Sequence, residues 1–143
     1  MLASVGLVAL LAAFIGSAWL VVGGARLAAA RRRGDEPTDD LRLPARLTLG
    51  GAIGAMAVLQ AALLFDDFSL AYVAGNHARA TPFPFNVASA WAALEGSIVL
   101  WGLVLAVFTW LVWRDHQRRP DGLSAGALAV MGLTGVFFFG LML

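Results

Sequence analysis

Few side chains in this 143-residue sequence could take part in chemistry, and they are scattered along the chain. The sequence contains no cysteine, which excludes a disulfide, a thiolate metal site and a cysteine nucleophile. Two histidines, His77 and His116, could ligate a metal, although two alone do not make a closed zinc site. His77 stands beside Asn76 and Arg79, a setting typical of a solvated turn residue, and His116 lies among arginines.

Glu95 is the acidic residue that most suggests a site, because Gly96, Ser97 and a long apolar run follow it. A carboxylate so close to hydrocarbon is costly unless it is paired or hydrated, which makes it a candidate functional residue. A solvated carboxylate at the level of the lipid headgroups is the alternative interpretation. Asp66 and Asp67 follow another apolar run, and we interpret them as the charged end of a helix.

No catalytic constellation can be assembled from these side chains. The sequence has no paired carboxylates on one helix face, no glycine-rich phosphate loop and no nucleophile beside a base. A stand-alone enzyme is therefore the least favoured class of function. The net charge of +1 gives no indication of a nucleic-acid partner, and we expect none.

The elements that must position these residues are apolar blocks separated by short charged stretches. Hydrophobic residues make up 60% of the sequence and charged residues 13%, and the mean hydropathy is +0.81. A soluble domain needs far more polar surface. The pattern predicts an all-α integral membrane protein with four transmembrane helices, at about residues 1–25, 44–65, 87–113 and 123–143. The first block is interpreted as an anchor rather than a cleaved signal, because its arginines follow it.

The arginines predict how these helices are oriented. The loop 26–46 contains six arginines and the stretch after the third block contains three, whereas the segment 66–97 contains only Arg79. Arginine-rich loops stay in the cytoplasm. We therefore expect a multi-pass protein of the cell (plasma) membrane, with both termini and the outer loop 66–97 outside the cytoplasm.

The outer loop, residues 66–97, is long for a connection between two helices, which favours a functional role. Asn86 follows two prolines and is the predicted N-cap of a helix beginning at Val87. That helix would place Trp91 and Glu95 on one face, four residues apart. We expect a structured loop, because its aromatic residues give it enough apolar bulk to lie on the membrane surface or to pack against a partner: Phe65, Phe68, Tyr72, Phe83, Phe85 and Trp91.

The helices themselves offer packing surfaces but little polarity. Gln60 is the only sizeable polar side chain expected in mid-membrane, whereas a transporter or channel subunit usually needs more. A structural or transporter-type subunit of a membrane complex nevertheless stays open as an alternative function. Small residues that could let helices approach closely are Gly50, Gly51 and Gly54 in the second block, and Gly122, Gly126 and Gly132 in the fourth.

The run from Asp67 to Trp101 resembles the first large outer loop of the cytochrome c biogenesis haem lyase family (the CcmF, NrfE and CcsA type). The family's loop reads approximately D-F-S-x-x-Y-V-A, then a stretch containing proline, then W-x-x-x-E-G-S-x-x-L-W. With the flanking helices and the expected orientation, the resemblance extends over essentially the whole chain. The residues that match the pattern in order and spacing are Asp67, Phe68, Ser69, Tyr72, Val73, Ala74, Asn76, Pro84, Trp91, Glu95, Gly96, Ser97, Leu100 and Trp101.

The sequence departs from this family in two ways. Leu94 stands where many members carry a histidine, and Asn86 stands where many carry a lysine. The family's haem-binding segment, W-G-x-x-W-x-W-D-x-x-E with flanking histidines, does not occur, and neither histidine matches a haem-ligand position. The resemblance therefore implies haem in the complete protein, with no haem contact assignable to residues of this chain.

The resemblance also implies a function and partners. The complete family member takes haem outside the cytoplasm and attaches it covalently to the C-x-x-C-H motif of an apocytochrome c. Residues 1–143 are then expected to be the N-terminal transmembrane scaffold of a longer cytochrome c haem lyase. Its expected partners are the remainder of the lyase, other cytochrome c maturation proteins, apocytochrome c and the lipid bilayer.

Overall fold

Four long apolar helices and two short ones make up the regular structure of a computed structural model, which describes residues 2–35, 40–65, 67, 71–76, 83–91 and 94–143. Four of the helices are long and apolar enough to cross a bilayer. The prediction of an all-α membrane protein with four spanning helices is confirmed at that level. The helices are α1 (Leu2–Arg32), α2 (Arg42–Leu64), α3 (Ala71–Asn76), α4 (Phe83–Ser89), α5 (Leu94–Arg118) and α6 (Gly122–Gly140).

The first helix runs seven residues beyond its predicted end at residue 25, whereas α2 and α6 match their predictions to within three residues at each end. Its extra turns are rich in alanine and arginine, which favour helix in water as well as in lipid. The helix ends where Gly34 adopts a positive φ of 82°. The N–H of Asp35 then donates to the carbonyl of Ala30 at 3.1 Å, and that of Gly34 to Arg31 at 3.2 Å, a Schellman motif.

The prediction of one continuous helix over residues 87–113 is wrong. The chain forms α4 up to Ser89 and then starts α5 at Leu94. The N–H groups of Ala90 and Trp91 bond carbonyls three residues back, at 3.4 and 3.2 Å, which tightens the last turn. Local propensity favours a continuous helix here, whereas in the structure Ala90 is completely buried just after the end of α4. Asn86 therefore lies inside α4 and is not the N-cap predicted for a helix starting at residue 87.

The four spanning helices are arranged in a ring. Helix α1 packs against α2 and α6, and α5 packs against the same two helices, so α1 and α5 occupy opposite corners. Neighbouring helices are antiparallel: a Cβ on Gly16 would lie 2.7 Å from Thr48, whereas one on Gly51 would lie 2.5 Å from the carbonyl of Ala9. Consecutive spans therefore alternate in direction.

Close helix contact depends on glycines that lack a side chain at the crossing points. A Cβ on Gly51 would meet the backbone of Ala9 and Ala13 in α1, and one on Gly132 would meet the carbonyl of Ser17 at 2.7 Å. Both glycines were predicted as packing residues, and the structure confirms them. Gly50 and Gly126 have no other atom within 4 Å of such a Cβ, so they do not pack in this way.

The antiparallel ring gives the bundle two chemically different ends. At the arginine end lie nine of the ten arginines: Arg26, Arg31, Arg32, Arg33, Arg42, Arg46, Arg114, Arg118 and Arg119. At the opposite end, which we call the aromatic end, α2 finishes, α5 begins, and the connection with α3 and α4 folds over them. This division brings the sequence motif to one end of the molecule.

Candidate functional site

The α2–α5 connection is fastened to the end of the bundle by two small apolar side chains. Val73 in α3 and Ala90 after α4 are completely buried. They pack in one cluster with Leu59, Ala62 and Leu63 of α2. Burying this apolar surface gives α3 and α4 a fixed position that helices of six and seven residues could not maintain alone.

The matched motif residues at the start of α5 form its first turn. Gly96 is buried, and the hydroxyl of Ser97 donates a hydrogen bond to the carbonyl of Leu94 at 2.8 Å. Leu94 itself is largely exposed. The turn therefore has a polar group tied to its own backbone and an apolar group directed away from the bundle.

Several large apolar side chains at the aromatic end lack cover. Trp91 is 44% exposed, and Trp101, about 10 Å farther along α5 than Leu94, is 62% exposed. Phe65 and Phe85 are exposed as well. We call these four aromatic residues the aromatic set. Exposed aromatic groups of this size are typical of a surface that contacts lipid or a partner.

The remaining motif residues are located only in part. The N–H of Asp67 donates to the carbonyl of Ala62 at 2.9 Å, just beyond the last turn of α2, and Pro84 is exposed in the first turn of α4. Tyr72, Asn76 and Glu95 have helical backbones, and their side chains are outside the described part of the structure. Phe68 and Ser69 lie outside the described residues altogether, as do Asp66 and His77.

The proposed pairing of Trp91 and Glu95 on one helix face is wrong. It required one helix through both positions, but Trp91 stands in a turn after α4 and Glu95 belongs to α5. The two residues therefore lie on separate elements. Whether Glu95 acts at the membrane entry stays a prediction.

The exposed side chains that the structure describes at the aromatic end are mainly apolar. Among the described residues, no three His, Cys, Asp or Glu side chains lie close enough together to hold a metal ion. The described histidine, His116, lies at the arginine end, where its Nδ1 is 2.6 Å from the hydroxyl oxygen of Ser124. This polar contact was not predicted, and the only sequence signal for it is a histidine and a serine flanking a short turn.

The same turn carries the cap of α6. The N–H of Ser124 donates to the Asp121 carboxylate at 2.6 Å, the arrangement of a helix N-cap. Hydrogen bonds from the hydroxyl and then the N–H of Ser124 lower the pKa of the Asp121 carboxyl below its usual range. Asp121 is thus ionised at neutral pH.

Polar groups within the spans are mostly satisfied by their own helices. The hydroxyls of Thr48 and Thr109 donate to carbonyls four residues back, at 3.0 and 2.8 Å. Gln60 is half-buried, and its Nε2 is buried without a hydrogen-bond partner among the described residues. The hydroxyl oxygen of Ser17 and the Nε1 of Trp113 are likewise buried without a hydrogen-bond partner among the described residues.

Comparison with known proteins places this architecture in a family. The chain is 42% identical over 87 residues to the cytochrome c-type biogenesis protein CcmF of Pseudomonas aeruginosa, which covers 59% of this chain and 13% of the relative. It is 39% identical over 97 residues to CcmF of Escherichia coli, covering 68% of this chain and 15% of the relative. No family model matches the sequence.

A solved structure supports the same relationship. The chain superposes on the structure of the cytochrome c haem lyase CcmF with a TM-score of 0.73 and 35% identity, over 99% of this chain and 23% of that one. The chain thus spans less than a quarter of the length of these relatives. By sequence and by fold it belongs to the cytochrome c biogenesis haem lyase family, and it corresponds to a membrane-embedded part of those longer proteins.

Proposed function

We propose that this chain is the N-terminal membrane scaffold of a cytochrome c haem lyase and supports haem handling and covalent haem attachment to apocytochrome c. The observation that carries the proposal is the 35% identity to the haem lyase CcmF over 99% of the chain. The side chains described at the aromatic end suit apolar contact and positioning, and no haem contact is assigned to residues of this chain. In this proposal haem ligation belongs to other parts of the lyase.

The proposed orientation places the aromatic end outside the cytoplasm, in the cell (plasma) membrane. Its support is the arginine distribution, because nine arginines lie at one end of the ring and arginine-rich ends stay cytoplasmic. The α2–α5 connection would then face the compartment in which haem is attached to apocytochrome c. The remainder of the lyase and the other cytochrome c maturation proteins are its proposed partners.

Within this setting, the aromatic set packs beside the haem-binding region of the remainder of the lyase. Val73 and Ala90 fix the connection against α2, so that Trp91 stays exposed in a defined position, and Trp101 is held by α5 itself. Large rigid aromatic groups lose little conformational entropy on binding and suit an apolar partner. The turn Glu95–Ser97 shapes the join between the connection and the membrane.

The test restores the chain, with its native flanking coding sequence, to a host from which it has been deleted. We expect Trp91→Ala and Glu95→Ala to lower the yield of holocytochrome c, measured by haem staining, at unchanged membrane abundance. Trp19→Ala is the matched control, because Trp19 is 47% exposed on α1, close to the 44% of Trp91, but lies outside the aromatic set.

The outcomes separate the scaffold from a general membrane subunit. A loss of holocytochrome c with Trp91→Ala alone supports the proposed surface. Unchanged yield with both Trp91→Ala and Glu95→Ala would refute the role of the connection. An equal loss of holocytochrome c with Trp19→Ala would indicate a purely structural subunit, in which truncating any large exposed aromatic side chain lowers the yield.

A further inference from the structure

The outer face of α5 changes from apolar to cationic along one line. Val104, Val107 and Leu111 are exposed on this face, and Arg114 and Arg118 continue it toward the end of the helix. The steps of three and four residues keep these side chains on one side of a helix. The opposite side of α5 faces the bundle, as the buried Ala106 shows.

Arg114 and Arg118 are well placed to bind one anionic group together. They are exposed, stand one helical turn (about 6 Å) apart, and form no ion pair with any carboxylate in the described part of the chain. Asp115 is their acidic neighbour on α5: it lies about 100° around the helix from Arg114 and about 60° from Arg118, yet forms an ion pair with neither. The side chain of His116 faces inward, and its Nδ1 lies within hydrogen-bonding distance of the Ser124 hydroxyl.

From this face we propose that α5 holds an anionic phospholipid of the surrounding bilayer, with its phosphate on Arg114 and Arg118 and its acyl chains along Val104, Val107 and Leu111. Arginine presents planar pairs of N–H donors that match phosphate oxygens. The apolar residues lie within about 15 Å of Arg114 along the helix, the depth of one leaflet.

Charge complementarity distinguishes this occupant from a further helix of a longer protein. A helix covering this face would have to bury two arginines that find no carboxylate among the described residues, which is costly without its own acidic partner. A phospholipid offers the negative charge and the apolar tail together, and basic side chains at a membrane surface attract anionic lipid. The proposal is independent of the haem lyase function and of the orientation of the chain.

The experiment uses the full chain in detergent and measures bound lipid by native mass spectrometry. Phosphatidylglycerol and phosphatidylcholine with identical acyl chains are added at equal concentrations. We expect the wild-type chain to retain phosphatidylglycerol preferentially, and Arg114→Gln with Arg118→Gln to reduce that preference roughly tenfold. Arg114→Lys with Arg118→Lys keeps both charges and should retain most of the preference.

The matched control is Arg32→Gln with Arg33→Gln, which removes the same charge at the same end of the bundle. These arginines are consecutive in sequence, and they lie at the end of α1 instead of beneath the α5 face. Seven arginines remain at that end in either double variant, so the orientation signal is kept. Helix content by circular dichroism verifies that each variant is folded.

Three results would overturn the proposal. One is equal binding of both lipids by the wild-type chain. That result would mean that the outer face of α5 is covered by bilayer lipid without regard to charge, or by a protein segment. Another is a preference that survives the Arg114 and Arg118 glutamine substitutions. The third is an equal loss in the Arg32 and Arg33 control, which would mean that binding depends on total charge rather than on this face.

Discussion

The Nδ1 atom of His116, near the end of α5, lies 2.6 Å from the hydroxyl oxygen of Ser124 in the first turn of α6. His116 is almost completely buried, and the N–H of Ser124 is held by Asp121 at 2.6 Å. A short turn with these bonds fixes the angle between two consecutive spans. At this turn, side-chain bonds as well as packing connect α5 to α6.

Replacing Ser124 with alanine should destabilise the bundle. The substitution leaves the buried imidazole without its partner, a loss of about 1–3 kcal/mol. The control is Thr134→Ala, because the Thr134 hydroxyl donates only to the Val130 carbonyl of its own helix, and we expect a change below about 0.5 kcal/mol. The free energy of unfolding in mixed micelles is measured for both variants. Equal values for the two would contradict an interhelical role for Ser124.

Two adjacent glycines in α2 should respond oppositely to the same substitution. Gly51→Ala places a methyl group 2.5 Å from the backbone of α1 and should cost about 1–3 kcal/mol. Gly50→Ala meets no atom within 4 Å, and the better helix propensity of alanine should make it neutral or stabilising by up to about 1 kcal/mol. The same unfolding assay compares them. A destabilising Gly50→Ala would show that the α2 surface is packed differently.

Shortening Val73 should loosen the α2–α5 connection while the spans stay intact. Val73 is fully buried against α2, and Val73→Ala removes roughly 1.4 kcal/mol of burial and packing. Limited proteolysis should then cleave the connection about tenfold faster, since cleavage follows the open population. Val104→Ala, on the exposed face of α5, should leave the rate unchanged. Identical rates in all three proteins would mean that Val73 does not fasten the connection.

The orientation can be measured without a competing thiol, because the chain has no cysteine. Ala74 in α3 and Gln117 in α5 are both exposed and lie at opposite ends of the bundle. We expect Ala74→Cys to react with a membrane-impermeant maleimide in intact cells, and Gln117→Cys to react only after permeabilisation. The reverse pattern would place the aromatic end in the cytoplasm.

Within the connection, local sequence and tertiary packing disagree. Residues after Val87 have good helix propensity, and the sequence therefore predicted one helix through Trp91 and Glu95. In the structure Ala90 is buried with Val73 against α2, and the helix ends at Ser89. Propensity is worth a few tenths of a kcal/mol per residue, so burial of an apolar cluster outweighs it.

Local sequence alone predicted four apolar blocks long enough to span a membrane and the family that the α2–α5 motif resembles. Both follow from short stretches of chain: the length of an apolar block against the thickness of the bilayer, and the spacing of residues such as Trp91, Gly96 and Trp101. The arginines also predict which end of each span faces the cytoplasm, because the rule counts the arginines close to that span.

Three features appear only in the assembled bundle: the order of the helices around the ring, the choice of glycines at the crossings, and the packing of the connection onto α2. Gly50 and Gly51 have the same residue type and neighbouring positions, yet only Gly51 faces α1. Such differences depend on partners 40 or more residues away in sequence, such as Ala9 for Gly51. Packing between distant segments is not encoded in any local pattern, so it becomes visible only when the helices are assembled.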